Sequence, residues 1–186
     1  MMALRVCLIT IIFTVIYIVS SVLLSNILFL RKSNGSLIKI DRKIIGSKLI
    51  GQEFKSSKYF HTRPSFNNYQ NNISGSSNYA YYSKTLKESV LENYIKFMLL
   101  NHDKNPDLNI ITESASGLDP HITLEGALSQ INRISNVTGI SSEEIIKIVR
   151  KKSRGHILGL FGQKIVNVLE LNSELQTLYA KTPRPR

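Results

Sequence analysis

Asp119 and His121 stand two residues apart and could both ligate a metal ion, but His61 and His102 are far off in sequence. A zinc-like site wants His, Cys or carboxylate ligands at short fixed spacings, such as H-E-x-x-H on a helix. Here the other histidines are far off in sequence and no paired-His spacing occurs, so Asp119-Pro120 reads more simply as a turn leading into a helix. Ser114 and Ser116 lie beside Gly117, but a serine nucleophile needs a strained elbow of the G-x-S-x-G kind and a base, and neither is written in the chain. Ser74-Gly75-Ser76-Ser77-Asn78 comes nearest to a loop whose backbone amides could cradle phosphate; it has no lysine and opens no evident helix, so it reads as a flexible polar turn. Glu143 and Glu144 are adjacent carboxylates at a helix start, where capping accounts for them better than acid–base work. The single cysteine, Cys7, lies in an apolar amino-terminal stretch, which leaves the remainder without a thiolate nucleophile or ligand. On motifs alone the chain is not an enzyme.

That apolar stretch is the element around which the rest is arranged. Cys7 to Leu30 carries no charged side chain, and at about 1.5 Å rise per residue it spans a hydrocarbon core of roughly 30 Å with length left for tilt. In lipid only a helix satisfies the backbone of a lone segment, so the β-branched Ile11, Ile12, Val15, Ile16, Ile18 and Val19 are no objection. Thr10, Thr14, Ser21 and Ser25 recur on one stripe; they either pack on other helices or bond back to their own helix. A cleaved signal peptide would have a shorter apolar core and a small-residue cleavage site, whereas Arg31-Lys32-Ser33-Asn34-Gly35 follows directly. The segment is therefore expected to stay in the bilayer as an anchor.

The formal net charge of +11 is compatible with nucleic acid, an anionic membrane surface or an acidic partner. The cations are scattered except for Arg150, Lys151, Lys152 and Arg154, which end a helix before Gly155 and offset its dipole. A basic surface beside anionic lipid is preferred to nucleic-acid binding. Only Arg5 precedes the apolar stretch, while Arg31, Lys32, Lys39, Arg42 and Lys43 follow it, so charge bias alone puts the carboxyl-terminal part in the cytoplasm.

The fold class expected is α+β: one N-terminal transmembrane helix over 7–30 and then a single mixed α/β soluble domain over 31–186, with short strands and about three to four helices. Leu37 to Ile50 suits two or three short strands broken at Asp41-Arg42, Gly46 and Gly51. Tyr59 to Ser83, rich in Asn, Ser and Tyr with few apolar residues to bury, reads as at best an ordered surface loop. Thr85 and Glu88 stand at capping-box spacing before a helix whose stripe of Leu86, Val90, Tyr94, Phe97 and Met98 is widened by Leu91 and Ile95 and faces the core. Ile110-Ile111 suggests a short strand. Thr123 caps a helix with Leu124, Ala127, Leu128, Ile131 and Ile134 inward. Ser141 with Glu144 is a second capping box, stapled by Ile140 and Ile145. Ile165 to Leu171 alternates as a strand, Asn172 to Ala180 suits a last short helix, and the tail from Lys181 to Arg186 is expected to fray.

GSKLIGQEF (46–54), YFHTRPS (59–65), SGSSN (74–78), SASGLDPHIT (114–123) and VNVLELN (166–172), in that order and after one amino-terminal span, resemble the C subunit of the Kdp-type potassium-transporting ATPase of bacteria. Gly35-Ser36-Leu37-Ile38 just after the anchor is similar too. The chain departs from the family pattern at Ser74–Asn78, where two glycines are usual, at Tyr79-Ala80-Tyr81-Tyr82, and at Lys164, where proline is common. The resemblance implies an accessory, non-catalytic subunit of an ATP-driven potassium uptake complex. Its partners would be a channel-like potassium-binding subunit, a P-type ATPase subunit and a small hydrophobic subunit, within a bacterial cell membrane and without nucleic acid. It also implies a short cytoplasmic N-terminus over 1–6 and an extracytoplasmic domain over 31–186, against the charge count; partner helices and a long translocated domain can override that count. The family is described as a catalytic chaperone that raises the ATP affinity of the pump subunit through a glutamine, for which Gln130 fits, and ATP enters only in this way. The family-motif and interface positions are Arg63, Pro64, Ser65, Gly75, Asn78, Gly117, Asp119, Pro120, His121, Asn167 and Asn172. The alternative is an unrelated membrane-tethered basic module that binds an anionic cell-envelope polymer.

Overall fold

A computed structural model describes residues 2–40, 42–102, 105–155 and 161–181. The chain divides into two units, Met1–Leu37 and Ile38–Arg186. In the first, helix α1 (Met2–Leu28) buries none of its residues and is long and apolar enough to cross a membrane. It starts earlier than the uncharged stretch, because Arg5 sits in its first turns without breaking it. Thr10, Thr14, Ser21 and Ser25 each donate to a carbonyl three or four residues back, so the stripe is back-bonded. A helical turn, α2 (Leu30–Ser33), follows.

The second unit opens with a two-stranded sheet of β1 (Leu37–Ile40), whose first residue still belongs to the anchor unit, and β2 (Lys43–Ser47). Of the two or three strands expected, two form; Leu49-Ile50 is turn, and Asp41 and the tail after Lys181 lie outside the described residues. Helix α3 (Lys84–Asn101) is capped by Ser83, not Thr85, through Leu86 N–H at 3.1 Å. Its stripe is split as well. Phe97 is buried and Val90 and Tyr94 pack on the core, whereas Leu91 and Ile95 face outward at 57% and 42% exposed. Ile110-Ile111 is no strand but part of the turn α4 (Leu108–Ile111), closed by Thr112 N–H and Oγ1 on Leu108 C=O. Both isoleucines are buried, which two successive residues of a half-exposed strand could not be.

β3 (His121–Thr123) pairs antiparallel with β4 (Ile165–Asn167), His121 opposite Asn167 and Thr123 opposite Ile165. Thr123 caps α5 (Leu124–Leu128), as its type predicts, by accepting from Gly126 N–H at 3.0 Å. The helix expected to run on is interrupted at Ser129-Gln130 and resumes as α6 (Ile131–Thr138). Ser141 caps α7 (Ser142–Lys152) on Glu144 N–H at 3.3 Å, with Ile140 and Ile145 both buried at its entry. The strand expected over Ile165 to Leu171 stops at Asn167, whose Oδ1 accepts from Glu170 N–H and starts α8 (Val168–Lys181). Among the described residues the short β3–β4 pair is flanked by α4 and α5 on β3 and by α5, α7 and α8 on β4, with α3 packed on α4 and α6 and α6 packed on α7. Ile122, Ile134, Ile145, Val149, Val166, Leu171 and Leu175 form the centre of that core.

The basic cluster at the end of α7 is held by α8. Lys151 and Lys152 reach Glu174 at 3.5 and 3.0 Å, and Arg154 lies 3.7 Å from Glu170, which also binds Lys48.

Candidate functional site

Residues 48–83 contain no helix or strand. A buried backbone without a ladder must find partners elsewhere. Side-chain amides supply them. Asn172, on α8 and 3% exposed, accepts from Phe60 N–H at 2.8 Å and donates to Phe60 C=O at 2.9 Å. Gln130, fully buried at the α5–α6 break, does the same to the next residue, accepting from His61 N–H at 2.8 Å and donating to His61 C=O at 3.2 Å. Successive residues of an extended chain present their N–H and C=O to opposite sides. The two amides therefore occupy the places that two neighbouring strands would take.

Arg133, three residues on from Gln130 and 5% exposed, completes the arrangement. Its Nη1 donates to Tyr59 C=O at 2.9 Å and to Ser57 C=O, its Nη2 to Gln130 Oε1 at 2.8 Å, and its Nε to Asn101 Oδ1 at 2.8 Å. Burial lowers the Arg133 pKa to about 10, so it stays cationic at neutral pH. His61 is pushed down to about 4, first by burial and then by the charge of Arg133, against a raising hydrogen bond from its ring to Ser56 C=O. His61 is therefore neutral in the folded domain. Arg133 and Asn101 escaped sequence reasoning; the available signal was an arginine set between Ile131 and Ile134 on an apolar face.

The clamped segment runs straight into the motif residues. Arg63 donates to Glu113 C=O at 2.9 Å and lies 3.5 Å from the Asp119 carboxylate, while its own C=O accepts from Tyr69 Oη at 2.6 Å. Pro64 C=O accepts from Ser114 N–H, and Ser65 Oγ donates to Asn67 Oδ1 and accepts from Tyr69 N–H. Gly75 N–H and Ser74 Oγ both donate to Ser116 C=O, and Ser77 is tied to Glu113 at 2.7 Å. Asn78 takes a left-handed turn with φ +52° beside Ser76. Gly117 has φ +68°, and a Cβ there would stand 3.0 Å from Gly75 C=O. Gly51 is as confined, since its Cβ would lie 2.7 Å from Asp119 C=O. Asp119 Oδ1 accepts from His121 N–H and faces the His121 ring at 3.3 Å. Burial pushes the Asp119 carboxyl up, but the His121 hydrogen bonds and the His121 and Arg63 charges outweigh it and hold it below the usual carboxylate range. Pro120 C=O accepts from Val168 N–H at the start of α8, and Asn167 also donates to Lys48 C=O.

All five motifs, separated along the chain, thus meet in one hydrogen-bonded assembly: 46–54, 59–65, 74–78, 114–123 and 166–172. Its donors and acceptors are largely bonded to one another. No three His, Cys, Asp or Glu side chains converge among the described residues, and His61 and His102 stay apart from the Asp119–His121 pair, His102 closing α3 in a left-handed turn. ATP, which the resemblance attaches to Gln130, does not fit there as a direct contact. Both amide protons and the carbonyl oxygen of Gln130 are engaged, the second proton on Gly126 C=O at 3.0 Å.

The family described as KdpC, the c chain of K+-transporting ATPase, matches residues 1–177. Among curated relatives, the potassium-transporting ATPase KdpC subunit of Caldanaerobacter subterraneus subsp. tengcongensis is 40% identical over 159 residues, covering 82% of this chain and 80% of its own. That of Gloeobacter violaceus is 41% identical over 152 residues, covering 81% and 80%. That of Rhodopseudomonas palustris is 37% identical over 172 residues, covering 85% and 86%. With a match that runs through the anchor, the clamp and the motif assembly, the chain belongs to the KdpC family of K+-transporting ATPase subunits.

Proposed function

We propose that the chain is a non-catalytic accessory subunit of a high-affinity, ATP-driven potassium uptake complex, anchored by α1, with its domain on the extracytoplasmic side. What supports the reading is family membership together with the geometry of the motif assembly, a loop face whose segments are hydrogen-bonded to one another. The face built from Arg63–Ser65, Ser74–Asn78 and Ser114–Asp119 docks on the transport machinery: a channel-like subunit, a P-type pump subunit and a small hydrophobic subunit. Its contribution is assembly and stability of the complex. Any gain in the ATP affinity of the pump subunit is transmitted through that docking, because Gln130 has no free hydrogen-bonding position to offer a nucleotide. Membership of the family displaces the alternative of an unrelated polyanion-binding module. Within the basic surface that alternative would use, Lys151, Lys152 and Arg154 pair with Glu174 and Glu170.

Deletion of the residues after Arg31 tests the role. Growth at limiting potassium should fail while growth at high potassium is kept; normal growth at limiting potassium refutes it. Protease added to intact protoplasts should shave the domain, and full protection would overturn the orientation.

A further inference from the structure

We infer that Gln130, Arg133 and Asn172 are positioning residues for docking: they act on the loop face by fixing the backbone of residues 57–61. The inference rests on the docking reading above. Four backbone groups of Phe60 and His61, and the carbonyls of Ser57 and Tyr59, are held by these three side chains. From there the chain has no slack before the face. Thr62 is buried, Arg63 C=O is held by Tyr69, and Pro64 C=O by Ser114. Arg63 stands two residues beyond the grip of Gln130, within about 7 Å of extended chain, so the clamp and the first residue of the face are joined by a short tether.

The side-chain types are dictated by the task. An extended backbone residue offers one donor and one acceptor on the same side, and a carboxamide is the side chain that offers one of each in matching geometry. A carboxylate answers only the N–H, and an aliphatic group neither. Arg133 ties the system together, since it binds the segment, Gln130 and Asn101 at once. The buried amides are thus accounted for without a bound ligand, and Gln130 influences the pump through shape.

A double-mutant cycle on the full chain within its complex tests this, with the rate of release from detergent-solubilised complex as readout. Asn172→Leu, which leaves Phe60 without partners, and Arg63→Gln, which alters the face, should each speed release about tenfold, and together also about tenfold, since contacts that act as one unit do not add. Multiplied effects, near a hundredfold, overturn the inference, as does unchanged release for Asn172→Leu. Where that variant does not fold, Gln130→Met replaces it with the same expectations. Amide exchange in micelles separates the clamp from the docking face. In Asn172→Leu the Phe60 amide should exchange at least tenfold faster with Ile148 and Val149 unchanged, and unaltered exchange at Phe60 sinks the clamp. Unchanged release for Arg63→Gln alone refutes the docking face instead.

Discussion

Asn172→Asp changes one atom at the clamp and converts a donor into an acceptor opposite Phe60 C=O, 2.9 Å away. The other oxygen can still accept from Phe60 N–H. The new carboxyl is buried and faces a carbonyl, so its charged form is disfavoured twice, by desolvation and by repulsion, and its pKa rises far above the roughly 3.9 of an unfolded chain. If it stays protonated when folded at pH 7, the cost there is about 1.4 kcal/mol for each of about three pH units, or about 4 kcal/mol. The sign follows from linkage. The folded state binds the extra proton between the two pKa values, so the penalty grows with pH across that window and shrinks as pH falls through it. At pH 5 it is about 1.5 kcal/mol. For a unit of about 150 residues these correspond to losses of roughly 8–16 °C at pH 7 and 3–6 °C at pH 5 in thermal midpoint relative to the wild-type chain at the same pH. Circular dichroism of the full chain in detergent micelles measures both. A deficit that is equal at the two pH values, or larger at pH 5, refutes the claim that this side chain must donate to Phe60.

The wild-type domain should itself weaken in acid. His61, lowered to about 4 in the fold, is neutral there while the unfolded chain protonates near 6.5, so stability falls as pH drops between those values by about 3 kcal/mol, and His61→Phe should flatten that limb of the unfolding curve. Asp119 acts in the same direction at lower pH, its depressed carboxyl giving stability that is lost as it protonates. Gly117→Ala forces a left-handed alanine with its Cβ about 3 Å from Gly75 C=O, which should cost about 1–3 kcal/mol and reduce copurification with partner subunits; an unaffected midpoint refutes the stated confinement. Ser141→Ala removes the α7 cap and should cost about 1 kcal/mol by chemical denaturation, without effect on copurification, since α7 carries no motif residue.

What was legible in the sequence is what local chemistry decides. Ser141, Glu144, Ile140 and Ile145 announce the start of α7 because a cap and a staple act within five residues of each other. VNVLELN misled because its apolar alternation matches a strand, while the deciding event is a single hydrogen bond from Glu170 N–H to Asn167 that turns the chain into α8. Leu91 and Ile95 could not be told from core residues, since periodicity gives a stripe but not its width. The motif residues were legible only as a resemblance. Nothing in their spacing shows that Ser77 meets Glu113 or that Gly75 meets Ser116, as these contacts join segments some forty positions apart.

The clamp lay further out of reach, and the reason is general. Asn172 and Phe60 are 112 positions apart, and Gln130 and His61 are 69 apart; the partner on one side is backbone, which has no sequence signature. Yet a physical rule would have pointed there. The described strands are short, three to five residues each, and cannot supply a ladder for the long irregular stretch that the sequence places between Tyr59 and Ser83. If part of that stretch is buried, as Phe60 between polar neighbours suggests, its amides and carbonyls must be met by side chains able to give and accept at once. Asn and Gln on otherwise apolar helix faces are the residues to look for. Gln130 next to Ile131 and Asn172 next to Leu171 are such residues, and the burial of both amides follows from the shortness of the sheet.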